Sequence, residues 1–302
     1  MKKGIFLLLV VLPLFSWGQG RQARLELVAM GGVSAYSGDV GGNQTKFLSD
    51  YMDNLGPAVG LGMRLHVTNF MALRANFNYA MVSGSDSLAN GAGRVGRNLS
   101  FRSPIYEGSL LFEISLFNWK HLAGEKVNST RGGRANLYIF GGMSFFSFKP
   151  QAYYQGRWYD LQPLGTEGQG IKPASSKYEL TSTALVMGLG YRYLLGGRWS
   201  IGFEGGLRKT NTDYLDDVSK EYWDNGQIAA TYGNVAAALA DRTIDEEGNS
   251  VLRPEGTQRG SSKVKDYFGF AQITLAVKLG KDGNSGRGGG KRFKTRSRCF
   301  QF

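Results

Sequence analysis

VGLGMRLHV at positions 59–67 and MALRANFNYAM at positions 71–81 decide the fold. In the first stretch Val59, Leu61, Met63, Leu65 and Val67 are apolar, and the residues between them, Gly60, Gly62, Arg64 and His66, are small or polar. In the second, Met71, Leu73, Ala75, Phe77, Tyr79 and Met81 alternate with Ala72, Arg74, Asn76, Asn78 and Ala80. A period of two belongs to a β-strand whose two faces meet different surroundings. Only Thr68, Asn69 and Phe70 separate the runs, which predicts a tight hairpin.

Six further runs carry the same alternation, at 25–36, 106–116, 137–148, 180–195, 199–209 and 267–279, bringing the number of strands to eight. In the last, Tyr267, Gly269, Ala271, Ile273, Leu275, Val277 and Leu279 form one face, and Gln272, Thr274 and Lys278 fall on the other. A soluble β-sandwich also alternates, but its strands are typically about 5 or 6 residues long. The runs 180–195 and 267–279 are long enough to cross a bilayer at a tilt. Trp119, Tyr191, Tyr193 and Trp199 near strand ends suit an interfacial aromatic girdle. The pattern therefore predicts an all-β, eight-stranded antiparallel transmembrane β-barrel with long extracellular loops, an oily outside and a polar inside. A cylinder of about eight strands has just enough interior for side chains to fill it, so no wide pore is expected.

Connection lengths agree, because such barrels have short periplasmic turns and long external loops. The long connections are 37–57, 84–104, 150–178 and 210–264. They alternate with the turns at Asn69 and at Leu195 to Arg198, and with a middle-sized connection at 119–136. An even number of strands puts both termini on the short-turn side, the periplasm. Within the last long connection, the alanine-rich stretch from Gln227 to Arg242 is helix-competent.

The N-terminus reads as an export signal. Lys2 and Lys3 precede an apolar run from Ile5 to Phe15 that ends in Ser16, Trp17 and Gly18 before Gln19. The run is too short for a membrane helix, which needs about 20 apolar residues, and has the order of a secretory signal peptide. The expected organisation is a signal peptide at 1–18, a barrel at 19–280 and a basic, Gly-rich flexible periplasmic tail at 281–302. With 44 Gly, 15 Tyr and 18 Phe and a mean hydropathy of -0.26, the chain is too polar for a helical membrane protein and unusually aromatic for a soluble enzyme.

The net charge of +12 invites a nucleic-acid reading that its location removes. Two lysines belong to the leader, and the tail carries a net +6 in Lys281, Arg287, Lys291, Arg292, Lys294, Arg296 and Arg298 against Asp282, which leaves +4 for residues 19–280. A nucleic-acid module places its basic residues on one groove-facing element. No nucleic-acid partner is expected.

Arg64, Arg74, Glu113, Glu204 and Arg208 fall on the predicted lumen face together with His66. An unpaired charge in a narrow lumen costs several kcal/mol, so these residues predict an ion-pair network. The competing reading, a hydrolase using His66 with Glu113 or Glu204, lacks a recognisable nucleophile motif beside either His66 or His121, and no catalytic residue is assigned. One cysteine and two scattered histidines do not make a zinc site, and no cofactor is expected. Asp213, Asp216 and Asp217 form an extracellular-loop motif that suits either calcium or a local turn capped by Asp217, although the regular ligand spacing of a calcium loop is missing. Cys299 is the single cysteine, in a compartment where disulfides form, and is either an idle thiol or bonded to another chain.

Four stretches then point to a family: Arg97 to Ser103, Phe148 to Tyr154, Leu161 to Gly170, and Arg208 to Thr210 leading into Thr212 to Ser219. They resemble the PorG-type outer-membrane barrels of the type IX secretion system of Bacteroidetes-type bacteria, over essentially the whole mature chain. The resemblance implies a non-enzymatic barrel in outer-membrane lipid that contacts a periplasmic ring, built from a lipoprotein and its ring partner, in a machine that exports proteins and supports gliding. It also implies that a tail cysteine, here Cys299, ties the barrel to the ring lipoprotein. The alternative is a surface-binding barrel whose loops at 150–178 and 210–264 recognise a ligand or an exported protein.

Overall fold

The computed structural model describes residues 24–41, 54–68, 70–88, 96–118, 135–171, 175–196, 198–245 and 247–279. Eight strands form the wall: β1 (Arg24–Ser37), β2 (Gly56–His66), β3 (Met71–Ser85), β4 (Ser100–Asn118), β5 (Ala135–Phe148), β8 (Thr181–Gly196), β9 (Trp199–Thr210) and β10 (Tyr267–Leu279). A small hairpin of β6 (Gln151–Tyr154) and β7 (Arg157–Asp160) sits between β5 and β8. Each wall strand pairs antiparallel with the next, and β1 pairs with β10, so the sheet closes on itself. Closure gives every strand a partner on both sides, which a wall in lipid requires because no water is there to satisfy a free edge.

The alternation becomes an inside and an outside. Along β3, Arg74, Asn76 and Asn78 are buried while Leu73, Ala75 and Phe77 between them are exposed. Leu61, Leu110 and Met143 on three strands are 68%, 63% and 65% exposed. Such a continuous ring of bare aliphatic and aromatic side chains is the outer belt of a membrane-spanning barrel. None of the helices among the described residues is long and apolar enough to cross a membrane.

The β2–β3 turn is closed by Thr68, whose hydroxyl accepts from the backbone N–H groups of Phe70 and Met71 at 3.2 and 3.0 Å. At the same rim Leu25 of β1 pairs with Leu279 of β10, so both ends of the barrel chain emerge beside the short turns. The stretch 1–18 expected to be a signal peptide, the basic tail with Cys299, Trp119 and His121 lie outside the described residues.

Two expectations are corrected. The connection 84–104 is shorter, since β3 runs to Ser85 and β4 starts at Ser100, and 150–178 contains the β6–β7 hairpin. The inside is also not polar throughout. Its half towards the long loops is packed with Tyr36, Phe101, Ile105, Phe146, Phe268 and their neighbours. The reason is length. A bilayer takes 9–11 residues of a tilted strand, whereas β3, β4 and β8 have 15, 19 and 16. Strands longer than a bilayer needs carry the wall on towards the long loops, and at that end it closes round an apolar core.

Arginine placed at Leu110, in the belt, should cost about 2–4 kcal/mol of folding stability in lipid. Arginine at Val251, exposed in a loop, should change it by less than about 0.5 kcal/mol. Urea titration of the refolded barrel, followed by heat-modifiable migration, measures both.

Candidate functional site

The half of the lumen next to the short turns is filled by charge. Arg64 donates through Nε to Glu113 at 2.8 Å and through Nη1 to Glu26 at 3.0 Å. Arg74 meets Glu113 at 2.9 Å and holds Glu204 with both terminal nitrogens, Nη2 at 2.7 Å. Arg192 reaches Glu26 at 3.3 Å and Glu113 at 3.5 Å. One step further in, Arg208 donates to Glu107 at 3.0 Å and Asn78 donates to the same carboxylate at 3.0 Å. Four arginines therefore face four glutamates, each of them buried. The ring of Tyr138 lies under Arg64 and Arg192, and that of Phe140 under Arg74. Gly188 and Gly190 of β8 make room for these rings: a Cβ on either would stand 2.4 Å from the neighbouring aromatic carbon.

All five lumen residues expected from the sequence, Arg64, Arg74, Glu113, Glu204 and Arg208, belong to this layer. Sequence reasoning missed Glu26, Glu107 and Arg192. The signal was present, since each lies between outward residues of its strand: Glu26 between Leu25 and Leu27, Glu107 between Tyr106 and Gly108, Arg192 between Tyr191 and Tyr193. His66 pairs with Glu26 at 3.0 Å, while among the described residues Glu113 and Glu204 pair with arginines.

At the opposite end the connections fold into an ordered cap. The helix-competent stretch forms two helices, α1 (Asn225–Tyr232) and α2 (Asn234–Ala240), broken at Gly233 with φ +89°. The Asp213, Asp216 and Asp217 motif is the cap's anchor, and each carboxylate has different work. Asp216 accepts from the Tyr36 hydroxyl at 2.6 Å and from the Val40 N–H at 2.9 Å, fastening the last loop to β1. Asp217, at φ +67°, accepts from Thr166 and from Tyr178 at 2.5 Å. Asp213 accepts from Ser219 at 2.8 Å. No group of three or more His, Cys, Asp or Glu side chains among the described residues is arranged to hold a metal ion.

Two buried arginines complete the lock. Arg259 donates to Glu167 at 3.2 Å and to the Asp217 carbonyl at 2.7 Å. Arg97 grips Asp86 at 2.7 Å and donates to the carbonyls of Arg259 and Asp39 at 2.5 and 2.6 Å. The stretches around Arg97, Leu161 to Gly170 and Thr212 to Ser219 thus meet in one place.

Burial sets the titration of this cap. It lifts the Asp213 carboxyl to about 7, with the charge of Asp39 adding to the effect. It lifts Asp217 to about 6 against the pull of Arg259. Asp216 and Asp266, which flank the Tyr36 hydroxyl, are both pushed up by burial, and Asp266 further by the charge of Asp216.

A closed eight-stranded antiparallel barrel with an apolar belt, a charge-filled lumen and an ordered cap defines a membrane-spanning β-barrel protein whose described lumen is packed with side chains. The model of the family described as a domain of unknown function (DUF6089) matches residues 3–238, and the chain belongs to that family. No curated protein matches the sequence. Among solved structures the chain is similar to Neisserial surface protein A, with 8% identity, a TM-score of 0.38 and coverage of 86% of this chain and 100% of that one. It is similar to OprG from Pseudomonas aeruginosa, with 11% identity, a TM-score of 0.38 and coverage of 87% and 99%. A third is Ail of Yersinia pestis, with 8% identity, a TM-score of 0.36 and coverage of 85% and 100%.

Removing one partner from the charged layer leaves the others buried and uncompensated. Arg74→Met should destabilise the barrel by about 3–5 kcal/mol, and adding Glu204→Gln should recover part of that loss, both read by urea titration. The cap has its own pH dependence. Its raised carboxyls keep protons that an opened loop, titrating near 3.9, would release. Their contribution to cap stability is therefore fully present below about pH 4 and is lost as pH rises through about 7. Hydrogen exchange of residues 211–266, corrected for intrinsic rates, should show more protection at pH 5.5 than at pH 8, and Asp216→Asn should flatten the difference.

Proposed function

We propose that this chain is an outer-membrane component of the type IX protein secretion and gliding machinery, and that it anchors the periplasmic lipoprotein ring rather than conducting anything through its lumen. The observation that carries this reading is the filled interior. Four arginine–glutamate partners seal one half and a packed aromatic core seals the other, which leaves the two rims as working surfaces. The stretches that resemble PorG-type barrels supply the system. Three of them meet in the cap: Thr166 of one donates to Asp217 of another across 51 positions, and Arg97 of the third donates to the carbonyl of Arg259, whose guanidinium binds Glu167 and the Asp217 carbonyl, as stretches that share one structural task do.

In this reading the barrel chain begins and ends at the periplasmic rim, beside the short turns. The tail 281–302 continues from Leu279 towards the ring, and Cys299 bonds to the ring lipoprotein. The basic residues of the tail supply attraction to an acidic ring surface, and the disulfide fixes the contact. No catalytic role follows from any of these residues.

The test is a purification of tagged protein from outer-membrane fractions under non-reducing conditions. A mixed disulfide with a lipoprotein should be recovered, and Cys299→Ser should abolish it. An adduct that survives the substitution contradicts the assigned thiol, and recovery of the barrel without any ring component contradicts the role.

A further inference from the structure

The β6–β7 hairpin does more than bridge two wall strands. Arg102 of β4 pairs in register with Gln151 of β6, so the hairpin extends the wall upward along β4. On its outer face Tyr153 and Trp158 lie opposite each other, 5.3 Å apart and both exposed. The Arg102 guanidinium sits over the Trp158 ring at 3.7 Å and donates through Nε to Gln151 at 3.0 Å. Its two Nη groups have no partner among the described residues. Beside it Lys149, 52% exposed, spends one of its three donors on Asp160 at 2.7 Å.

The height of this group gives it meaning. On β4 the outward residues below Arg102 are Pro104, Tyr106 and, past Gly108, Leu110 and Phe112 of the belt. Tyr106 pairs across the wall with Tyr79, ring centroids 5.1 Å apart, as a girdle at the membrane–water boundary. A tilted strand climbs roughly 2.5 Å per residue. Arg102 therefore stands roughly 10 Å above Tyr106, at the level where lipid headgroups carry their phosphates. On β5 the order repeats: Phe145 is exposed in the belt, Ser147 follows, and Lys149 comes next.

We infer that Arg102 and Lys149, stiffened by Trp158 and the hairpin, form a seat for the phosphate of an anionic lipid in the outer leaflet. The acyl chains run down the wall past Tyr106, Leu110 and Phe145. Charge complementarity carries the assignment: Arg102 and Lys149 outweigh Asp160 by one, and Arg157, exposed at the hairpin turn, adds another positive charge. A guanidinium seated over an aromatic ring and tied through Nε keeps its fork of donors pre-set for phosphate oxygens. The aliphatic belt directly below favours a phosphorylated lipid over a free anion.

The inference rests on the outer-membrane placement proposed above and not on the ring contact. Detergent-purified full-length protein would be delipidated and titrated with bisphosphorylated lipid A, its dephosphorylated counterpart and inorganic phosphate, bound species being counted by native mass spectrometry. Wild type should prefer the phosphorylated lipid by about tenfold or more, with no competition from millimolar phosphate. The double variant Arg102→Gln and Lys149→Gln should lose the preference while keeping heat-modifiable migration, and Arg102→Lys should retain part of it. Equal binding of the two lipids by wild type, an undiminished preference in the folded double variant, or displacement by free phosphate would each overturn the seat while leaving membrane placement intact. Failure of wild type to insert into bilayers would overturn both.

Discussion

Arg74 between Glu113 and Glu204 shows the constraint from which the rest of this structure follows. A guanidinium and two carboxylates taken out of water are tolerated only when their donors and acceptors are matched. The described lumen matches them one for one, four arginines to four glutamates, with aromatic faces under all four cations. To bring those eight residues together, strands far apart in sequence must curve into one narrow cylinder. The same curvature turns every intervening residue outward, where Leu61, Leu110 and Met143 need lipid. Interior pairing and exterior greasiness are two consequences of one alternation.

The upper half obeys a different rule. Towards the long loops the interior turns aromatic, and the cap continues this core through Leu161, Leu215, Val218 and Leu239. Loops in such a position would ordinarily be mobile. Here they are held by buried carboxylates and by Arg97 and Arg259, whose guanidiniums bind loop carbonyls as well as side chains. The described cap thus presents a shaped surface above a filled lumen.

Much of this was legible in the sequence and some of it was not, for identifiable reasons. The eight strands were readable because a wall between lipid and a packed interior enforces period two at every position. The same parity contained Glu26, Glu107 and Arg192, which a fuller count of inward positions would have found. The aromatic upper core was hidden because apolar residues on both faces look alike until the height of the membrane on each strand is known. The cap was hidden for another reason. Asp216 bonds Tyr36 across 180 positions and Arg97 bonds the Arg259 carbonyl across 162, and no local spacing encodes such partners. The acidic motif therefore read as either a calcium loop or a local turn, and its long-range contacts to Tyr36, Val40, Thr166 and Tyr178 were not foreseen. The β6–β7 hairpin, built of two four-residue strands, was too short to register as a period.

The claim at the centre is that alternate residues of the wall face lipid and a filled interior. A spin-label scan along β4 from Ile105 to Glu113, in reconstituted bilayers and with Cys299 replaced, measures it directly. Collision with oxygen should peak at Tyr106, Leu110 and Phe112, while labels at Glu107, Ser109 and Leu111 should be shielded from both oxygen and a water-soluble nickel complex. Nickel reaching the outward sites, or no two-residue oscillation at all, would contradict the account.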